Sequence, residues 1–210
     1  MGQVNCPVFD LSLHQIVIRA GASLIVLSLH GLALAAIARV LGDRGPQFDG
    51  RLSASPIRQL DAVGTATAIL FQLGWIRPMA IDPAQLRWGR LGLVVCVLGS
   101  IAATLIAVTL LLRLRTSALI YMPSAFVPTV LAILNESAES CSWFVALNVL
   151  PLPPLTGMHL LVAIRPSLAP VMMKYQRYAG LAIAALTLAG IVRPALQPLK
   201  DIVALLFPGL

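Results

Sequence analysis

The sequence predicts an all-α polytopic membrane protein, and three observations carry that prediction. Of 210 residues, 59% are hydrophobic and 11% charged, with a mean hydropathy of +0.90, whereas soluble domains carry roughly a quarter charged residues. Charge is missing altogether from 91–112 and from 178–192. Apolar runs of about 20 residues match a bilayer's hydrocarbon core, and in lipid the backbone must satisfy its own hydrogen bonds, which makes such runs helical. Finally, nine of the 15 Lys and Arg fall in three connections, 42–60, 74–90 and 165–177, three in each. Cytoplasmic loops of membrane proteins have this bias, so these connections are expected on the cytoplasmic side.

Other classes are excluded on the same ground. A net charge of +7 invites a nucleic-acid reading, but that needs a basic face with interleaved aromatics, and the arginines here are scattered through loops. Cys6, Cys96 and Cys141 are odd in number and lack ligand spacing, which argues against a disulfide framework or a cysteine metal site. Residues 2–10 are polar and short, without the basic start of a cleavable signal. Met-Gly opens the chain, but Cys6 stands where a myristoylation motif wants Ser or Thr.

Taken in order, the elements form one domain over 1–210. A first span covers about 11–41, carrying Arg19, His30 and Arg39. The connection 42–60 is rich in Gly and Pro breakers, and Asp49-Gly50 before the alternating Arg51-Leu52-Ser53-Ala54 has the pattern of a short β-hairpin. Residues 62–73 are apolar but too few to cross, which predicts a re-entrant or interfacial segment. After a proline-bearing loop with Trp75 and Trp88 as interfacial anchors, spans are expected at about 90–112, 143–164 and 178–192. The stretch 118–134, broken by Pro123 and Pro128, is expected to be re-entrant or interfacial. Residues 135–142, with Glu136 and Glu139 and no basic residue, read as an outer polar cap, and 202–207 as an interfacial tail.

Two segments carry chemistry. Asn148-Val149-Leu150-Pro151-Leu152-Pro153-Pro154-Leu155-Thr156-Gly157 resembles the Asn-x-x-Pro-x-Pro-Pro-x-Asp-Gly signature of site-2-protease-type intramembrane zinc metalloproteases, and Leu29-His30-Gly31-Leu32-Ala33-Leu34-Ala35 lies where that family has its zinc helix. Leu41-Gly42-Asp43, Gly50-Arg51-Leu52, Asp61-Ala62-Val63-Gly64-Thr65 and Gly74-Trp75-Ile76-Arg77-Pro78 are similar in order and spacing. The resemblance implies a site-2-protease-like transmembrane core in a multi-pass protein of a bacterial inner membrane. In that family His-Glu-x-x-His sets two imidazoles on one helix face, with the Glu as general base. An Asp completes three protein ligands and leaves a fourth position open.

This sequence departs from that pattern where the chemistry lies. His30 stands at the first ligand position, Gly31 at the base, Leu34 at the second ligand and Thr156 at the third. Leu98-Gly99-Ser100-Ile101-Ala102-Ala103 resembles the family's Ala-Gly-Pro-x-x-Asn without its Pro and Asn. One imidazole does not hold catalytic zinc, and no group is placed to take a water's proton. His159, three residues after Thr156, is a weak second metal candidate beside His30. The expected protein is therefore a pseudoprotease without catalytic residues or cofactor, an accessory, assembly or regulatory subunit binding transmembrane helices of other proteins within the lipid bilayer. Its partner groove is expected at the small residues Gly31, Ala35 and Ala36, with Asn148, Pro151, Pro153 and Pro154. An active zinc protease with a rebuilt site is the alternative, and a small transporter or channel ranks third, since the spans offer almost no acids.

Overall fold

A computed structural model describes residues 11–53 and 55–207; Cys6 and the N-terminal readings lie outside them. Among the described residues, eight α-helices follow in chain order: α1 Leu13–Val40, α2 Gly45–Phe48, α3 Ala62–Phe71, α4 Arg90–Tyr121, α5 Val127–Asn148, α6 Met158–Ile164, α7 Ala169–Leu188 and α8 Val192–Leu206. No strand occurs among the described residues; the β pairing is a single antiparallel bridge, Leu60 to Ile76.

α1, α4 and α5 pack on one another as the core. His30 faces Thr104 and Ile37 faces Gly99, so α4 runs against α1; Arg19 meets Glu136 and His30 meets Phe144, so α5 runs with it. α1 and α4 are long and apolar enough to cross a membrane. The segments Pro166–Leu188 and Val192–Leu206, bent by 93°, qualify together as a broken third span or a re-entrant loop. Many large apolar side chains on these helices face outward, among them Val17, Leu98, Leu110 and Leu181, as lipid-facing surface requires.

Local chemistry fixes the ends. Ser12 caps α1 through a reciprocal pair with Gln15, whose amide N donates to Ser12 Oγ at 3.2 Å, a capping box. Beyond α1, Asp43 is buried and takes two backbone N–H groups, Gly45 at 2.8 Å and Asp82 at 3.0 Å. Arg87 N donates to Leu41 O at 2.7 Å. The connections 42–60 and 74–90 thus gather at the C-terminal end of α1. Asp61 caps α3 by accepting from Gly64 N at 2.8 Å, and the Leu60–Ile76 bridge brings the chain back beside its point of entry.

Five expectations are corrected. Residues 49–53 do not make the expected hairpin. Arg51 turns inward, donating to Gln59 Oε1 at 3.3 Å and to the carbonyls of Arg77 and Pro78 at 3.3 and 3.1 Å, and this holds the segment in turns. Burial, then the Arg77 charge, hold the Arg51 guanidinium below its ordinary value against the pull of Asp49.

The break expected over 118–134 shrinks to 122–126. α4 continues past Arg113 and Arg115 to Tyr121, and Pro128 falls in the first turn of α5, where a missing N–H costs nothing. Residues 135–142 are helix interior, not an outer cap. Ser137 and Ser142 bond to carbonyls one turn back, at 2.7 and 3.2 Å. Glu136 meets Arg19 at 3.3 Å, and Glu139 meets Lys200 at 2.7 Å and Trp143 Nε1 at 2.9 Å.

The helix expected over 143–164 is interrupted instead. α5 stops at Asn148, residues 149–157 form a non-helical turn with a cis Pro153–Pro154 bond, and α6 follows. The tail 202–207 is the end of a longer α8, whose Arg193 stacks over Trp143 at 4.7 Å and bonds to Gln72.

Candidate functional site

The two sequence-distant positions that matter most, His30 and Thr156, meet. His30 is wholly buried. Its Nδ1 lies 3.1 Å from Thr104 Oγ1 on α4 and its Nε2 lies 3.0 Å from Thr156 Oγ1. Thr104 donates its own hydroxyl proton to Ser100 O at 2.6 Å, so toward the ring it accepts. The network therefore assigns the imidazole proton to Nδ1, leaving Nε2 to accept from the Thr156 hydroxyl. The Phe144 ring closes the pocket edge-on at 4.8 Å. The result is a wholly buried histidine with both ring nitrogens committed to threonine hydroxyls.

Thr156 is held there by Asn148. The Asn148 amide donates to Gly74 O and to Phe144 O, each at 2.9 Å, and its Oδ1 accepts from Thr156 N at 3.4 Å. One wholly buried side chain joins the end of α5, the loop after α3 and the proline turn. Gly157 N also donates to Asn148 O at 2.8 Å. A Cβ at Gly157 would run into the carbonyls of Val149 and Leu150. That close approach is the physical reason for glycine at the end of the 148–157 turn.

Gly31, one residue past His30, faces the chain itself. Gln59 covers it so closely that a Cβ at Gly31 would lie 2.8 Å from Gln59 Cδ and 3.1 Å from its Cβ. Gln59 is 1% exposed. Its Nε2 donates to Arg51 O at 2.6 Å and its Oε1 accepts from Arg51 at 3.3 Å, while its carbonyl takes Arg77 N at 2.8 Å. Leu34 and Ala35 are buried in the core and Ala36 is half-buried. The small-residue face expected to receive a partner is thus filled by the connection 51–59 at Gly31 and by the protein's own core at Ala35. In the proline turn, Pro151 is exposed, Pro153 half-buried and Pro154 buried.

His159 lies buried in α6 beside a cavity of about 150 Å³ lined by Pro78, Met79, Ile81, Met172 and Gln176. Among the described residues no three His, Cys, Asp or Glu side chains come together as a metal site. Zinc needs about three protein donors, and here a threonine hydroxyl occupies the imidazole lone pair that would bind it. The residues present do not fit the metal. Cys96 and Cys141 are buried free thiols apart from this cluster. Thr104 and Gln59 were not singled out by the sequence pattern. Thr104 is adjacent to the segment 98–103 and is one of the few polar residues in that span, the signal that would have found it.

No protein-family model matches the chain and no solved structure matches it. The chain is similar to a Bacillus subtilis (strain 168) protein named "Putative zinc metalloprotease YwhC", with 29% identity over 142 residues covering 66% of this chain. The match spans 65% of that protein's length.

Proposed function

We propose that this is a single-domain, non-hydrolytic relative of the site-2 proteases, retained in a multi-pass inner-membrane protein as an accessory, assembly or regulatory subunit that binds transmembrane helices. In this reading α3 is the re-entrant segment, α1 the former zinc helix, and the 148–157 turn the former third-ligand loop. The observation that carries the reading is the His30–Thr156 hydrogen bond at 3.0 Å. It sets the two positions named by the resemblance against each other across 126 residues of sequence, in a buried neutral contact instead of an open metal site. Similarity to a protein named as a zinc metalloprotease supports the descent. Gly31 under Gln59 and Leu34 in the core support the loss of base and second ligand.

Elemental analysis of the purified protein tests this. No stoichiometric zinc and no cleavage of transmembrane substrates are expected; one zinc per chain, absent from His30→Ala, overturns the reading. Helix binding is tested by photo-crosslinking from lipid-facing positions of α4, such as Leu98 and Leu110, in membranes. Crosslinks to defined transmembrane segments are expected, and crosslinks to lipid alone at every position refute the accessory role.

A further inference from the structure

Between the loop 74–78 and α7 lies a cleft of about 500 Å³, separate from the His30 cluster. Its lining is chemically divided. Arg77, Arg177 and Asp61 supply charge, while Trp75, Pro154 and Leu181 supply apolar wall. α7 packs here at Gly180, where a Cβ would lie in ordinary contact, 3.4 Å from both Pro154 and Trp75. The volume is in the range of small-ligand sites, roughly 300–1,000 Å³.

Arg19, Arg51, Arg193 and Lys200 are committed to acids, carbonyls or an aromatic ring. Among the described residues, the guanidiniums of Arg77 and Arg177 have no ion pair and no hydrogen bond. Asp61 spends Oδ1 on Gly64 N and keeps Oδ2. Two guanidiniums against one carboxylate leave the lining net positive, with an acceptor beside it. Arginine's planar fork is suited to phosphate oxygens.

The surroundings specify what carries that phosphate. The cleft sits at the end of the bundle where the basic connections gather, and α7 leads away from it with Tyr178 70% and Leu181 57% exposed, followed by exposed Leu186 and Leu188. Polar head above, apolar track below: that is the profile of a lipid. We infer that the cleft seats the headgroup of a membrane phospholipid, its phosphate on Arg77 and Arg177 and a headgroup ammonium or hydroxyl proton on Asp61 Oδ2, with the acyl chains along α7. Phosphatidylethanolamine and phosphatidylglycerol both carry such a donor. Phosphatidylcholine does not.

The test is native mass spectrometry of the full chain released from micelles containing these three lipids. One ethanolamine or glycerol lipid retained per chain is expected, with phosphatidylcholine about tenfold weaker. Each guanidinium removed, as Arg77→Gln or Arg177→Gln, should lower retention about tenfold, since a charge-assisted hydrogen bond is worth at least one decade in affinity. Both side chains are exposed, so folding is preserved, and Arg177→Lys provides a charge-keeping control expected to retain more lipid than Arg177→Gln. Asp61→Asn still caps α3 and should erase the preference over phosphatidylcholine. Equal retention of all three lipids by the unsubstituted protein, or unchanged retention in the double arginine variant, overturns the assignment. So does full displacement by millimolar inorganic phosphate, which would make this a site for the free anion.

Discussion

Gly31→Ala adds one methyl group, and the structure fixes where it goes. It meets the Gln59 amide and lies 3.1 Å from the Gln59 Cβ, so the amide must swing away and the Cβ give by a few tenths of an ångström. Two hydrogen bonds go with it, to Arg51 O at 2.6 Å and from the Arg51 guanidinium at 3.3 Å. The neutral bond is worth about 1 kcal/mol and the charged one about 1.5–3. Replacing a mid-helix glycine by alanine returns about 1 kcal/mol. The substitution should therefore destabilise by about 2 kcal/mol. In a Gln59→Ala background the obstacle is gone, and the same methyl should stabilise by up to about 1 kcal/mol, giving a coupling of about 3 kcal/mol between directly touching residues. Unfolding of all four proteins by SDS in mixed micelles measures this. If Gly31→Ala costs the same with and without Gln59, the contact does not govern the site. The result also bears on reconstruction: glutamate at 31 needs Gln59 removed first, in addition to Leu34→His and Thr156→Asp.

Three further outcomes are expected. Asn148→Ala removes three hydrogen bonds from a wholly buried position and should cost about 3 kcal/mol in the same titration; a loss under about 1 kcal/mol would show that the turn holds without it. Glu136→Gln leaves the part-buried Arg19 without its acid and should cost about 1–2 kcal/mol, less than a fully buried pair because both side chains are partly exposed, whereas Lys200→Met, at a more open pair, should cost under about 1; equal losses would refute the ranking. Cysteine labelling of intact cells should modify a Ser124→Cys variant and spare Ser53→Cys, since these exposed residues lie at opposite ends of the bundle and the basic end is expected inside; the reverse pattern inverts the topology.

Helix character and the first and second long helices were legible because they depend on apolar length alone. The start of α4 at Arg90 was visible for the same reason, and its end at Tyr121 was not: the apolar run stops at 112, yet arginine is a good helix former and the helix continues through Arg113 and Arg115 until Pro123 breaks it. The misreading of 135–142 has a different cause. Two acids and three serines look like a loop when their partners are unknown, and the acids' partners, Arg19 and Lys200, lie more than 60 residues distant in either direction. At the site, His30 and Thr156 were named from motif order, but the bond between them and the roles of Thr104 and Gln59 depend on tertiary placement. The expectation that Gly31 would be an open docking face failed because a small residue invites close approach without specifying by whom.

α5 is not among the described helices long and apolar enough to cross a membrane by themselves, yet it packs along both that are. Its two acids are answered by Arg19 from a helix made earlier and by Lys200 from one made later. Released alone into lipid, it would present Glu136 and Glu139 to hydrocarbon. α5 therefore depends on helices from both ends of the sequence for the partners of its two acids. A chain truncated before α8 should leave Glu139 without its Lys200 partner and make α5 more susceptible to proteolysis.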